Sequence, residues 1–423
     1  MSTRRKLITN FSYLSSITAL NYILPLITFP YLVRVLGPEK IGLLAFAGAF
    51  VSYFALLADY GFNMSAPRKI SIMRDDKEAV SRTVSSVFII KLGILFASFF
   101  ILFVMCSLIP LFRKEFILYI ITFVGIVGGA FNPTWYFQGI ERMKNIAILS
   151  VVGRSITIPL IFILVKKEAD YLMVSIVGSA SQAVVGIIAL SVLYGKHRLR
   201  FIAPGRNDLI AELKDGWHIF LSTIAISLYT RSNTVILGIF TNNMIVGYYS
   251  VGEKIVRVVQ GLLSPLSQTV YPHISKLASE SREPALAFIR KLVKVIGFST
   301  LILSLALLIF APQINDIILG GQYKESIPVI RILSFLPFII GMSNIFGIQT
   351  MLNFGLKKTF TKIIISAGLI NIFLAVILVI PFQHIGISIS VIITEFCVTF
   401  CMLFSLQRNK LKIFKSEPIL AKN

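Results

Sequence analysis

A chain of 423 residues that is 56% hydrophobic and only 14% charged, with a mean hydropathy of +0.83, lies outside the range of soluble domains, where about 25% of residues are charged. That balance excludes a soluble enzyme or nucleic-acid-binding module and marks an integral membrane protein. The formal net charge of +22 is then to be sorted loop by loop, as a record of orientation, before any polyanionic partner is invoked.

Crossing roughly 30 Å of hydrocarbon takes about 20 apolar residues. Twelve such runs are predicted, over 9–34, 40–62, 84–110, 116–137, 146–165, 171–194, 215–239, 244–271, 293–312, 328–353, 360–381 and 385–406. The start, MSTRRK followed by NFSYLSSITALNYILP, is too polar for a signal-peptide core and has no clear A-x-A site, so the first span is expected to be retained. That span contains Asn21, Pro25 and Pro30. Proline removes a helix hydrogen bond, so Pro25 and Pro30 are candidate hinge residues.

The N-terminus, alternate loops including 67–82, 196–214 and 273–291, and the C-terminal tail hold about 28 of the 41 Lys and Arg, and the opposite loops about 7. This bias predicts that both termini are cytoplasmic. At the predicted cytoplasmic end of span 4, NPTWYFQGIERMK sets Trp135, Tyr136 and Phe137 beside Glu141, Arg142 and Lys144. Amphipathic rings at headgroup depth are the default reading of such a cluster, ahead of sugar or base stacking. Upstream, Gly128 and Gly129 read as a close helix contact rather than a phosphate loop.

Six cations fall inside predicted spans: Lys91, Arg154, Arg231, Lys254, Arg257 and Arg331. A charge at mid-bilayer costs roughly 3 kcal/mol on insertion scales, so it faces protein or a watery cavity. Lys91 and Arg154 lie about two turns inside cytoplasmic ends, within snorkelling reach of the headgroups, and Arg331 reads as an interfacial anchor. Asp59 is near a cytoplasmic end, within reach of Arg68 and Lys69. Arg231 sits in a polar patch with Thr230, Ser232 and Asn233. In span 8, Glu253, Arg257, Gln260, Ser264 and Gln268 recur at helical spacing as one polar stripe, with Lys254 alongside. Glu253 and Arg257, at i and i+4, could simply neutralise each other; that leaves Lys254, Gln260 and Gln268 unexplained. Glu395 in span 12 is a candidate salt-bridge partner or protonatable coupling group. The candidate substrate site is therefore cationic: Arg231, Lys254, Arg257, Arg154 and Lys91, with Glu253, Gln260, Gln268, Glu395 and Asn21 as polar or coupling groups.

No GxxxxGK[ST] loop is present, and His197, His218, His273 and His384 show no metal-ligand spacing. No metal or cofactor is expected. Cys106, Cys397 and Cys401 read as free thiols. Three pairs of positions recur: Gly42 with Gly247 and Pro67 with Pro272, each offset by 205 residues, and Gly139 with Gly355, offset by 216. Two halves of six spans are predicted, 1–200 and 201–423, related by an axis along the membrane normal, with substrate bound between them.

The stretch FPYLVRVLGPEKIGLLAFAGAFVSYFALLADYGFNMSAPRKIS, from Phe29, and NPTWYFQGIERMK, from Asn132, resemble the recurring patterns of the Wzx polysaccharide or O-antigen flippases of the MATE-like exporter superfamily. The resemblance implies an all-α membrane protein of about twelve transmembrane helices, in two six-helix lobes around a central cavity. It also implies translocation of an undecaprenyl-pyrophosphate-linked oligosaccharide across a bacterial inner membrane, with H+ or Na+ as a possible coupling ion and the polysaccharide polymerase machinery as a possible partner. Cations within the membrane suit an anionic headgroup. A cation-coupled drug exporter of the same superfamily is the alternative, and Asp59 and Glu395 are a thin supply of the carboxylates it would want. A membrane glycosyltransferase or polymerase would need a larger outer loop than 313–327.

Overall fold

The computed structural model describes residues 3–261, 264–411, 413 and 414, with side chains from Ile27 onward except at 222, 225, 226, 228–230, 264–266, 268 and 269. The described elements are all helical. In chain order they are α1 (Thr3–Asp59), α2 (Phe62–Ile72), α3 (Lys77–Leu108), α4 (Pro110–Arg113), α5 (Phe116–Ala130), α6 (Thr134–Gly139), α7 (Met143–Leu164) and α8 (Tyr171–Ser191). There follow α9 (Arg206–Phe240), α10 (Asn243–Gly261), α11 (Ser264–Glu280), α12 (Arg282–Ile309), α13 (Ala311–Leu319), α14 (Ser326–Leu333), α15 (Leu336–Asn344) and α16 (Lys357–Arg408). Short π-helical segments, Val192–Lys196 and Ile345–Met351, extend α8 and α15.

Eight helical stretches among the described residues are long and apolar enough to cross a bilayer, which makes this a multi-pass membrane protein. The two longest helices each contain a break. In α1 the backbone leaves helical angles at Gly37 (φ 70°, ψ 173°), between predicted spans 1 and 2. In α16 it does so at Gln383 (φ 47°, ψ −124°), between predicted spans 11 and 12. The hinge expected at Pro25 and Pro30 is not where α1 breaks: the backbone is helical at both, and Gly37 supplies the left-handed φ that a side chain disfavours. Predicted span 8 is divided between α10 and α11. Span 4 ends at α5, and Pro133, which lacks a donor, introduces the separate α6.

The chain divides into two compact units, Met1–Ser227 and Leu228–Asn423. In unit 1, α5 lies directly on α8. A Cβ on Gly128 would come within 2.6 Å of the Ala183 backbone nitrogen, and one on Gly186 within 2.6 Å of the Gly128 carbonyl, the close backbone approach for which small residues are used between membrane helices. The Ser179 hydroxyl donates to the Ile121 carbonyl at 2.7 Å across the same contact. The amino-terminal part of α9 is tied to this unit by a Lys69–Glu212 ion pair and by Tyr60 stacked on Phe220 at 4.6 Å.

Trp135, Tyr136 and Phe137 are not interfacial rings facing headgroups. All three are buried, with Phe62, Ala66, Ile70, Val84 and Phe88, in the core between α2, α3 and α6. Gly139 lets α6 sit against Ile70 and the Pro67 carbonyl. Rings of this size stabilise by area removed from water or headgroups, and the Trp–Tyr–Phe run is here the knob that seats α6 on α2.

Unit 2 has its own core of Ile274, Leu286, Ile289, Met342, Phe346, Val398 and Met402. Polar ties cross it as well. The Ser267 hydroxyl donates to Asn344 at 2.8 Å, the Gln349 amide to the Ser267 carbonyl at 3.0 Å, and the Ser275 hydroxyl to Asn353 at 2.6 Å. The repeat positions Pro67 and Pro272 lie inside α2 and α11. α2 packs on α6, which ends at the repeat glycine Gly139, and α11 packs on residues 345–351, which precede Gly355. All three cysteines are free; Cys106 is buried, whereas Cys397 and Cys401 are exposed on α16.

Candidate functional site

In unit 2, α10 is seated by its small and aromatic residues. Gly252 lies so close to α14 that a Cβ there would be 2.7 Å from Val329, and Ser326 donates to the Tyr248 carbonyl at 2.7 Å. Val246, Tyr249 and Val256 are fully buried on this side. One turn at a time, the row Tyr249, Glu253, Arg257 climbs from that buried face to the surface. The Tyr249 hydroxyl donates to Glu253 Oε1 at 3.2 Å, and Arg257 Nη2 donates to the same oxygen at 2.8 Å. The Arg257 side chain is 51% exposed while Glu253 is 16% exposed, so the more buried carboxylate orients the guanidinium. Glu395, on α16, adds to the negative field at Arg257.

Tyr249 is the member of this row that sequence reasoning missed, although its position four residues before Glu253 made it readable. Lys254 and Arg231 are exposed; Ser232 and Asn233, next to Arg231, are buried. The Gln260 amide nitrogen is buried with no hydrogen-bond partner among the described residues. The side chains of Gln268 and Asn21 lie outside the described residues, as does that of Pro25. Two cavities of unit 2, of about 520 and 230 Å3, run along α16 past Ile363 and Cys401; their linings do not include the α10 charges.

In unit 1, Lys91 does not snorkel. It is 7% exposed and ion-paired at 3.6 Å with Asp59, whose side chain is 24% exposed. Asp59 therefore takes Lys91 from α3 rather than Arg68 or Lys69, and Lys69 goes instead to the buried Glu212. Burial pushes the Glu212 carboxyl up, against the opposing pull of Lys69. Arg154, on α7, is partly exposed. The candidates thus fall into two sets: Lys91 with Asp59 in unit 1, and Glu253 with Arg257 and Glu395 in unit 2. Among the described residues, no group of His, Cys, Asp and Glu is placed to hold a metal ion.

The profile of a family described as polysaccharide biosynthesis protein matches residues 7–278. A protein of Escherichia coli (strain K12) named "Putative O-antigen transporter" is 36% identical over 98% of this chain and 99% of its own length. A Shigella dysenteriae protein of the same name is 28% identical over 90% of this chain and 96% of its own. Among solved structures, an inward-facing multidrug resistance MATE family transporter of the MOP superfamily superposes with a TM-score of 0.74 at 16% identity, covering 96% of this chain and 100% of the other. The lipid II flippase MurJ, in an inward closed conformation, superposes with a TM-score of 0.72 at 13% identity, covering 93% of this chain and 87% of the other. At those identities the two structural likenesses establish the shared fold.

Proposed function

Because the chain belongs to the polysaccharide biosynthesis protein family, we propose that it is a flippase. Its substrate is an undecaprenyl-pyrophosphate-linked oligosaccharide, the repeat unit of O-antigen or a similar surface polysaccharide. The protein carries this lipid from the cytoplasmic to the periplasmic face of the bacterial inner membrane, with both termini in the cytoplasm. It moves the substrate without making or breaking glycosidic bonds. Each of two halves, 1–200 and 201–423, contributes six helices, the parallel-repeat plan of many transporters.

The observation that carries this reading is the presentation of Arg257. A guanidinium in a predicted membrane span is held by Glu253 on the same helix, two turns from the buried Tyr249. A planar fork of donors meets phosphate oxygens with two parallel hydrogen bonds, where an ammonium acts as a point charge. Arg231, together with Lys254, supplies the further positive charge that a pyrophosphate requires. Glu253 limits the net charge of the site, so that the headgroup can leave. Glu395 is the group through which a coupling ion, H+ or Na+, would act, and the polymerase machinery would receive the product.

The test is genetic and chemical together. Loss of the protein should abolish surface glycan while lipid-linked repeat units accumulate on the cytoplasmic face. R257Q and R231Q should each reduce surface glycan severely at normal membrane abundance, with partial rescue by R257K. Unchanged glycan without the protein would remove the flippase reading, and fully active R257Q and R231Q would remove the anion site while leaving the flippase reading intact.

A further inference from the structure

Unit 1 contains a cavity that the flippase reading does not use. Its volume is about 330 Å3, within the roughly 300–1,000 Å3 of small-molecule pockets. Three turns far apart in sequence meet there. Arg74 and Lys77 come from the α2–α3 turn, Arg142 from the α6–α7 turn, and Lys196 from the π-helical end of α8. The floor is apolar, with Val80 and Leu199 buried, and Tyr136 forms part of the wall.

The negative charge at this rim is small. Asp75 is part of the lining, and Glu141 pairs with the Arg74 guanidinium at 3.8 Å. Among the described residues, no carboxylate lies within ion-pair distance of Lys77, Arg142 or Lys196. Topogenic cations need only populate a loop; nothing in that requirement makes them converge on one concave surface.

One lining residue, His197, is held in place from behind. The Tyr136 hydroxyl and His197 Nδ1 are hydrogen-bonded at 2.9 Å, while His197 Nε2 is buried with no partner among the described residues. When Tyr136 donates to Nδ1, Nε2 carries the ring hydrogen and becomes a donor. Burial, then Arg142 and Lys196, push the His197 imidazolium down, so the ring is neutral at pH 7 and its charge does not oppose the surrounding cations. A ligand bearing negative charge satisfies the rim. The walls are also preset. The Arg200 and Ile202 backbone nitrogens donate to Ser81 and Ser85 at 3.3 and 3.1 Å, which straps the segment after His197 onto α3, so little ordering is left for a ligand to impose.

We propose that this cavity is a phosphate-binding site, in which Arg142, Lys196, Arg74 and Lys77 take the phosphate oxygens. The phosphate can belong to an anionic lipid headgroup, since basic pockets at the cytoplasmic ends of membrane helices hold such lipids, or to a soluble phosphorylated ligand. The cytoplasmic position of the rim follows from the proposed topology, whereas the phosphate chemistry does not depend on it.

The experiment uses the purified full-length protein. Native mass spectrometry reads retention of phosphatidylglycerol against phosphatidylcholine, with and without inorganic pyrophosphate as competitor. The wild type should retain phosphatidylglycerol selectively. R142Q/K196Q, which removes two exposed cations, should retain about tenfold less, as expected for the loss of charge-assisted hydrogen bonds. A control of equal charge in unit 2, K291Q/K294Q, should behave as wild type. Displacement of the lipid by pyrophosphate identifies free phosphate as a ligand of the same cavity, and resistance to it identifies the headgroup. Equal loss in both double variants, or wild-type retention in R142Q/K196Q, overturns the site. Neither result bears on flipping, because no transport is measured.

Discussion

Replacing Lys91 with Met isolates the buried ion pair of unit 1. The substitution keeps the apolar stem and removes the ammonium, which strands Asp59 beside it. Removing one partner of a buried pair costs about 3–5 kcal/mol, because the remaining charge keeps its desolvation penalty and loses its compensation. Lys91 is 7% exposed and Asp59 24%, so the stranded carboxylate keeps some access to polar surroundings and the lower end, about 3 kcal/mol, is expected. For a unit of 227 residues, at roughly 2–4 °C per kcal/mol, the loss corresponds to about 6–12 °C in Tm. D59N strands the more deeply buried Lys91 and should cost at least as much as K91M, and the double variant K91M/D59N should recover about 2 kcal/mol of the K91M loss, since it leaves no buried charge. The assay is thermal unfolding of detergent-solubilised protein followed by tryptophan fluorescence. Both tryptophans of the chain, Trp135 and Trp217, lie in unit 1, so the signal reports that unit. A K91M shift of less than about 2 °C, or a double variant no better than K91M, would refute the reasoning that the pair is desolvated and mutually compensating.

The α5–α8 contact gives a second test. G128A should lower stability by about 1–3 kcal/mol through overpacking against the Ala183 backbone, while G178A on the same helix pair, with open space around it, should be neutral or slightly stabilising in the same melt. For His197, burial and the neighbouring cations hold the folded-state pKa below the ordinary 6.5. The unfolded chain therefore binds the proton first, and stability present above pH 6.5 falls as the pH drops toward the folded value. Between pH 7.5 and 5.5 the wild-type Tm should fall further than that of H197Q, and parallel curves would refute the assignment. Reporter fusions at residues 75, 205 and 283 and at the C-terminus should read as cytoplasmic, and those at 38, 114, 168 and 320 as periplasmic; a cytoplasmic signal at 168 would overturn the proposed topology.

Local pattern alone determined the membrane character, the positions of the apolar runs and the Glu253–Arg257 row. Each depends on residues within a few turns of one another: a run of about 20 apolar residues has no stable place in water, and residues four apart on a helix must be neighbours. The close contact at Gly128 was legible for the same reason, since two glycines in an apolar helix leave room only for another backbone. The fate of Trp135, Tyr136 and Phe137 was not legible, because a ring at a span's end suits a headgroup layer and a protein core equally, and α2, some 65 residues earlier, decides between them. The same holds for Lys91, which found Asp59 rather than the bilayer surface. It holds also for Arg74, Arg142 and Lys196, which sequence sorts only as loop charges and which folding gathers around one cavity. In each case the deciding energy is a contact between residues far apart in the chain, and only the tertiary structure states which of the many compatible partners is met.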